Sequence, residues 1–241
     1  MPLPKIATPT YELVLPSTGK KIKYRPFLVK EEKILILGLE TEDQKQITEA
    51  VKTTLKSCIL TRGIKVDELP TFDIEYIFLN IRGKSVGESV DLIVTCPDDE
   101  KTTVPVKVYI DEIKVETDEN HNRDIDLDGI HTLRMKYPSL DKFIETNFEI
   151  SGDERNELEE SFKVISSCID QVYSKEESWS PSDCTEKEIN DWLGTLNTKQ
   201  FKQIEDFFAT MPKLSHTIKV TNPNTKVESD VTLEGITSFF E

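Results

Sequence analysis

The sequence predicts an α+β protein that combines helical bundle-like segments with β-hairpins. Hydrophobic residues make up 37% of the 241 residues, enough to build a core. Short runs with alternating apolar residues flank turns that contain Pro or Gly, the pattern of a β-hairpin. Longer runs repeat apolar residues every three or four positions, the pattern of an amphipathic helix. We therefore expect an N-terminal β-hairpin and two further strand-turn-strand units, joined by helices.

The N-terminal region is predicted to be an arm followed by a hairpin. Pro2, Pro4 and Pro9 lie in residues 1–10, and we expect this segment to be extended. Two alternating runs follow, Tyr11–Leu15 and Lys20–Tyr24, with a turn rich in Pro, Ser, Thr and Gly between them. The two runs and their turn indicate a hairpin. A Pro-rich arm of this kind can become ordered when it binds a neighbouring chain.

Three helices are predicted after the hairpin. The first opens at Glu31 and runs through Leu39, and the second covers Asp43–Leu60 with apolar residues on one stripe. The third, Phe72–Arg82, carries so many large apolar side chains that little polar face remains. Such a helix is either central to the fold or docked on another chain.

Two strand-turn-strand units share a local pattern. Strands are predicted at Ser89–Thr95 and Val104–Ile110, and again at Ser215–Thr221 and Val231–Leu233. Both units contain the pattern Val-Thr-x-Pro where the first strand enters its turn. The turns resemble those of a zinc ribbon, but zinc needs four ligands and Cys96 stands alone. We therefore expect zinc-ribbon-like hairpins without metal.

The acidic segment 113–128 is expected to be an exposed loop and a boundary. It separates 11–112, with the N-terminal hairpin, helices and first knuckle-like hairpin, from 129–241, a mainly helical half that ends in the second hairpin. A strand is predicted within Ile125–Lys136, and Trp179 is expected to be exposed in a polar loop. The helices of this half are predicted over Leu140–Asn147, Asp153–Tyr173, Thr185–Leu193 and Thr198–Met211.

The charge of the chain limits its partners. A formal net charge of −15 repels phosphate backbones and anionic lipid, which excludes nucleic acid and membrane surfaces as expected partners. Many soluble proteins are acidic for no specific reason, so the charge indicates nothing further. The four cysteines form no CxxC pair and indicate buried free thiols in a reducing compartment. The N-terminus lacks an apolar signal stretch, so we expect the cytoplasm.

No catalytic, cofactor or metal motif is complete in the sequence. His121, His131 and His216 lack a neighbouring nucleophile and an orienting carboxylate; His121 is expected to be solvated and the other two structural. Alternating carboxylates at Asp124–Asp128 resemble part of a calcium loop, but Met135 stands where the bidentate Glu belongs, and an exposed strand edge is preferred. The sequence therefore predicts no enzyme activity, no small-molecule substrate, no cofactor and no metal.

Two segments resemble the baseplate hub proteins of T4-like bacteriophages. The first runs from Leu15 to Ile34 and the second from Phe72 to Glu88, and both are long ungapped similarities. The hairpin ending in Leu233–Phe240 is more weakly similar. The resemblance implies cysteine pairs on one or both hairpin turns, whereas this chain has only Cys96 there, a departure that argues against metal binding.

The resemblance implies a non-enzymatic protein of the tail baseplate, in the central hub of a contractile tail. Its partners would be other hub or tail proteins, and it would be assembled in the host cytoplasm into the virion. The family also contains factors that promote hub assembly without remaining in the particle, so this alternative stays open. A tail-associated hydrolase is a third reading, and it would need paired carboxylates or a complete zinc site.

The residue types on the third predicted helix agree with an assembly role. Large aromatic and arginine side chains often anchor protein interfaces. The alternative is that they fill the core of this chain. Basic side chains before the first helix are expected to orient docking on an otherwise acidic surface. The candidate interface residues are Phe72, Tyr76, Phe78, Arg82, Arg25 and Lys30.

Overall fold

The computed structural model describes residues 6–41, 43–140 and 154–234. The chain forms two compact units: unit 1 comprises Met1–Glu116 and Lys213–Glu241, and unit 2 comprises Thr117–Pro212. The helix predicted over Leu140–Asn147 lies largely outside the described residues, as do residues 1–5 of the arm and the end of the chain after Glu234.

Helices and small antiparallel sheets alternate along the described chain, which confirms the α+β class. The helices are α1 (Val29–Leu39), α2 (Gln44–Cys58), α3 (Thr71–Ser85), α4 (Glu154–Cys168), α5 (Glu186–Leu193) and α6 (Thr198–Thr210). The strands are β1 (Tyr11–Val14), β2 (Lys21–Tyr24), β3 (Ser89–Thr95), β4 (Thr103–Tyr109), β5 (Lys114–Glu116), β6 (Asp124–Asp126), β7 (Thr132–Met135), β8 (Ile169–Tyr173), β9 (Ser178–Trp179), β10 (Lys213–Thr221) and β11 (Glu228–Glu234).

Unit 1 contains the three predicted hairpins. β1 pairs with β2, β3 with β4, and β10 with β11, all antiparallel. β5 adds a third strand to the last sheet, so that Glu116 is paired with Lys213. Its core is an aliphatic cluster in which Leu79 of α3 meets Val90 and Leu92 of β3 and Leu214 of β10. Burial of each such side chain contributes roughly 1.5–3 kcal/mol.

The turns of the two similar hairpins contact each other through hydrogen bonds. Asn222, which is 1% exposed, donates from Nδ2 to both carboxylate oxygens of Asp98 at 3.0 and 3.1 Å. The Thr225 hydroxyl donates to the same carboxylate, and Asn224 donates to Thr102 Oγ1 at 3.0 Å. Polar side chains therefore join the two knuckle-like turns.

Unit 2 is a four-stranded antiparallel sheet, in the order β6-β7-β8-β9, together with α4, α5 and α6. Leu133 and Met135 of β7 pack with Leu193 and Phe207 in one core cluster. The capping box predicted for α5 is confirmed, since the Glu188 carboxylate accepts the Thr185 amide at 2.7 Å.

Two sequence-based boundaries need correction. The helix predicted over Asp153–Tyr173 ends at Cys168, and β8 follows it. The apolar stripe gave no sign of this change, because Ile169 continues the helical spacing while also suiting a strand that pairs with β7. The predicted acidic loop 113–128 contains β5 and β6, and the second hairpin lies in unit 1, not in a separate helical half.

A buried carboxylate ties the turn of the N-terminal hairpin to α3. Asp73 is 0% exposed; it accepts the Ser17 amide at 3.0 Å on Oδ1 and the Ser17 hydroxyl on Oδ2. Burial raises the pKa of Asp73, and the two hydrogen bonds from Ser17 act in the opposite direction. The link fixes residues 56 positions apart in sequence.

We expect Asp73→Ala to lower the free energy of unfolding by about 1–3 kcal/mol, because it leaves two donors without their acceptor. Ser17→Ala is the matched control. It removes only the hydroxyl bond and keeps the amide bond, so its loss should be about 1 kcal/mol. Urea unfolding of both variants measures the difference. Equal losses would contradict the role assigned to the carboxylate.

Candidate protein-interaction surface

Helix α1 exposes an apolar surface. Its sequence after Lys33 is apolar on all sides, and exposed fractions on it range from 37% for Ile34 to 80% for Val29. We call this surface the α1 apolar face, and its residues are Val29, Ile34, Ile36, Leu37 and Leu39. Several exposed apolar side chains on one helix make it a candidate docking surface for another protein.

A close helix–helix contact holds α1 on the fold. Gly38 is buried, and a Cβ atom added there would lie 2.8 Å from the Cβ of Ala50 on α2. Any larger side chain at residue 38 would push the two helices apart. Gly38 thus faces α2, while the α1 apolar face is exposed to solvent.

A buried ion pair positions the start of α1. Glu31 is 1% exposed, and its carboxylate accepts Arg25 Nη2 and the Leu28 amide, each at 2.9 Å. Lys30 Nζ lies 3.3 Å from the same carboxylate. Burial opposes ionisation, but these donors outweigh it and lower the pKa of Glu31 from 4.5 to about 2. The ion pair therefore fixes the helix terminus from which the apolar face extends.

The structure places much of the predicted interface set elsewhere. Phe72 and Phe78 are 3% and 1% exposed, so both side chains lie in the core of the described structure. Tyr76 packs, partly buried, against the core cluster of unit 1. Arg82 is half-buried on the same helix, and burial lowers the pKa of its guanidinium. The interface role of these four residues stays a prediction.

The two basic residues of the set differ in their surroundings. The Arg25 side chain is 14% exposed and pairs with Glu31, whereas the Lys30 side chain is 70% exposed beside the α1 apolar face. The sequence interpretation missed the apolar face itself. The signal was present, because Ile34–Leu39 is a run of apolar residues that leaves an isolated helix no polar side.

Metal-ligating side chains do not form a cluster in the described part of the chain. No group of three or more His, Cys, Asp and Glu residues suited to a metal occurs among the described residues. Asp124 pairs with Arg134 at 2.7 Å on β6, which agrees with a strand edge and not a calcium loop. Cys184 is exposed, unlike the other three cysteines, so the expectation of buried thiols is wrong for it.

His121 is not solvated as expected. Its Nδ1 lies 3.0 Å from Thr210 Oγ1, its Nε2 lies 3.0 Å from the Tyr137 hydroxyl, and its ring stacks on Tyr137. Partial burial lowers its pKa. The ring thus links a loop to the end of α6 within unit 2, which is a structural role.

None of the described helices combines the length and the apolar character needed to cross a lipid bilayer.

An exposed apolar helix face is a feature of proteins that contact other proteins. The chain matches the family described as T4 bacteriophage base plate protein over residues 8–241, and it belongs to this family. Membership indicates a structural role in the phage tail baseplate, in contact with other baseplate or tail proteins. No curated protein and no solved structure matches the chain.

We expect acid to remove the contribution of the Arg25–Glu31 pair. Because the pKa of Glu31 is lowered, its carboxylate stabilises the fold above pH 4.5, and this contribution disappears as the pH falls to about 2. At pH 7, Glu31→Gln should lower the free energy of unfolding by on the order of 2–3 kcal/mol, and the gap to the unaltered protein should close in acid. Urea unfolding across this pH range measures it.

Glu32→Gln is the control for this experiment, since Glu32 is an exposed carboxylate on the same turn. The free energy of unfolding of this variant should differ little from that of the unaltered protein at every pH. If the loss of unfolding free energy caused by Glu31→Gln did not change with pH, the role assigned to the ion pair would be refuted.

Proposed function

We propose that the protein is a structural subunit of the central hub of a contractile-tail baseplate, and that it acts through protein–protein contacts. The exposed α1 apolar face carries this proposal, because a hub subunit must hold neighbouring chains by covering apolar surface. Membership of the T4 base plate family supports a role in the baseplate. The similarity of Leu15–Ile34 and Phe72–Glu88 to hub proteins supports the finer assignment.

An assembly factor that leaves before the particle is complete is the second candidate. The same apolar face favours it, since a transient factor also needs a specific docking surface. Quantitative mass spectrometry of purified particles and of infected-cell lysate separates the two functions. A fixed ratio to other tail proteins in particles is the result expected of a hub subunit. Abundance in lysate with absence from particles would establish the assembly factor.

We expect the double variant Ile36→Ser, Leu37→Ser to remain folded but to fail in baseplate assembly. Both side chains are exposed, so shortening them should change the free energy of unfolding by about 0.5 kcal/mol or less. Loss of their apolar area should weaken docking strongly. Complementation of a phage that lacks the gene measures assembly, and thermal unfolding measures the fold.

Ile93→Ser is the matched control. Ile93 is 75% exposed on β3 and lies outside the α1 apolar face, so this variant should assemble normally. If the α1 double variant entered particles at the normal ratio, the apolar face would not be the docking surface.

A further inference from the structure

Unit 2 contains an open cavity of about 460 Å³ that both tryptophans of the chain line. Its walls come from the β6–β7 turn, β8, the segment around β9, and α5 with the residues that follow it. We call it the tryptophan cavity, and its main apolar walls are Leu127, Ile169, Val172, Trp179, Trp192 and Leu196. Cavities of this size bind ligands or the anchor side chains of partners.

Aromatic side chains stand both at the mouth of the cavity and in its wall. Trp179 is 43% exposed, and its ring centroid lies 5.9 Å from that of His131. His131 Nδ1 in turn lies 2.8 Å from Asp128 Oδ2. Trp192 is partly buried against the core of unit 2. Tryptophan is enriched among the residues that contribute most of the binding energy at protein interfaces.

The charged groups at the cavity are acidic. Asp128 and Glu188 line it, and no lysine or arginine does so among the residues that the structure describes. The pKa of Asp128 is lowered to about 2 because its carboxylate accepts hydrogen bonds from the amide and the ring of His131 and from the Ile130 amide. Hydrogen bonds from Thr185 lower the pKa of Glu188. Both carboxylates are therefore negative at neutral pH.

The charge of the chain is concentrated in this unit. Unit 2 holds 22 Asp and Glu against 10 Lys and Arg, a net charge of −12, while unit 1 holds 23 against 20, a net charge of −3. Most of the overall −15 thus lies in the shorter unit. A field of this sign attracts cationic segments and repels acidic ones, including a second copy of this unit.

We infer that the tryptophan cavity is a second docking surface, and that it receives an apolar anchor side chain from a basic segment of another protein. The inference rests on the proposed function only in taking the partner to be a protein. The apolar walls and tryptophans would hold the anchor, and the acidic rim would select Lys and Arg on either side of it. The surface is distinct from the α1 apolar face, which lies in unit 1.

The tryptophans provide a direct test, because the chain has only two and both line the cavity. The full chain is titrated with the peptide acetyl-Lys-Arg-Phe-Arg-Lys-amide while tryptophan emission is recorded. One control peptide replaces Phe by Ala, and another replaces each basic residue by Asp or Glu. We expect saturable quenching by the first peptide and an affinity about tenfold or more weaker for both controls. Added salt should weaken the first interaction.

Alkylation of Cys184 gives an independent readout. Cys184 lines the cavity and is exposed, whereas Cys58, Cys96 and Cys168 are buried. Iodoacetamide should therefore modify one thiol in the folded chain, and the basic Phe peptide should slow that reaction. Cys184→Ser confirms which thiol reacts. Chain alkylated at Cys184 should bind the peptide more weakly, because the cavity is partly filled.

Glu188→Gln tests the acidic rim without disturbing α5. Glutamine also accepts the Thr185 amide in a capping box, so the helix start is kept while one charge is lost. Binding of the basic peptide should weaken several-fold. Glu186→Gln, an exposed carboxylate that does not line the cavity, is the control and should weaken it less.

Several outcomes overturn the inference. One is that the acidic peptide or the Ala peptide binds with the same affinity as the basic Phe peptide. Another is that tryptophan emission does not change when the basic Phe peptide is added to millimolar concentration. If tryptophan emission changed with protein concentration in the absence of peptide, the cavity would instead be the docking site of a second copy of the chain. The hub proposal is tested separately, because the Ile36→Ser, Leu37→Ser variant alters only unit 1. Failure of either experiment leaves the other result standing.

Discussion

Helix α3 is apolar on almost every side, and the rest of unit 1 is arranged to cover it. Exposure of such a helix to water is unfavourable. The turn of the first hairpin is bonded to its start through Asp73, and the Phe27 amide donates to Ser85 Oγ at 2.9 Å near its end. Gly83 allows Ile110 to approach, since an added Cβ would lie 3.1 Å from that side chain. Contacts with α3 therefore position the first hairpin and the end of the hairpin formed by β3 and β4.

The covering of α3 has a consequence for α1. Both helices are rich in large apolar residues, yet α3 is enclosed, whereas α1 packs on α2 with Gly38 against Ala50 and leaves five apolar side chains exposed. One apolar helix is thus buried and the other keeps apolar side chains at the surface. Substitutions of buried residues on either helix, such as Phe78 on α3 or Glu31 on α1, should act on folding, whereas those of the exposed apolar residues of α1 should affect stability little.

Local patterns were sufficient to predict many elements. The hairpins of β1 with β2 and β3 with β4, the start of α2 at Asp43 and the capping box of α5 all depend on residues close in sequence. β5 was missed because it has only three residues, whereas the alternating carboxylates of Asp124–Asp126 did indicate the strand edge that β6 forms. β5 is a strand only because β10, about a hundred residues later, supplies its hydrogen bonds.

The candidate surfaces were harder to predict than the fold. The periodicity of a sequence distinguishes helix from strand, but it does not say which of two apolar helices is enclosed. Phe78 and Ile36 are therefore equivalent in sequence terms, and only tertiary packing makes one 1% and the other 49% exposed. The tryptophan cavity is likewise assembled from residues more than seventy positions apart, such as Leu127 and Gln200.

The pairing of Glu116 with Lys213 gives unit 1 an unusual tolerance to change. The chain leaves the sheet at Glu116 and re-enters it at Lys213, and these residues are paired on neighbouring antiparallel strands. A short hairpin turn could connect two such residues directly. Such a junction accepts an insertion of any length with little entropic cost beyond that of the turn it replaces. The inserted unit can therefore change in length without a change in the sheet that carries it.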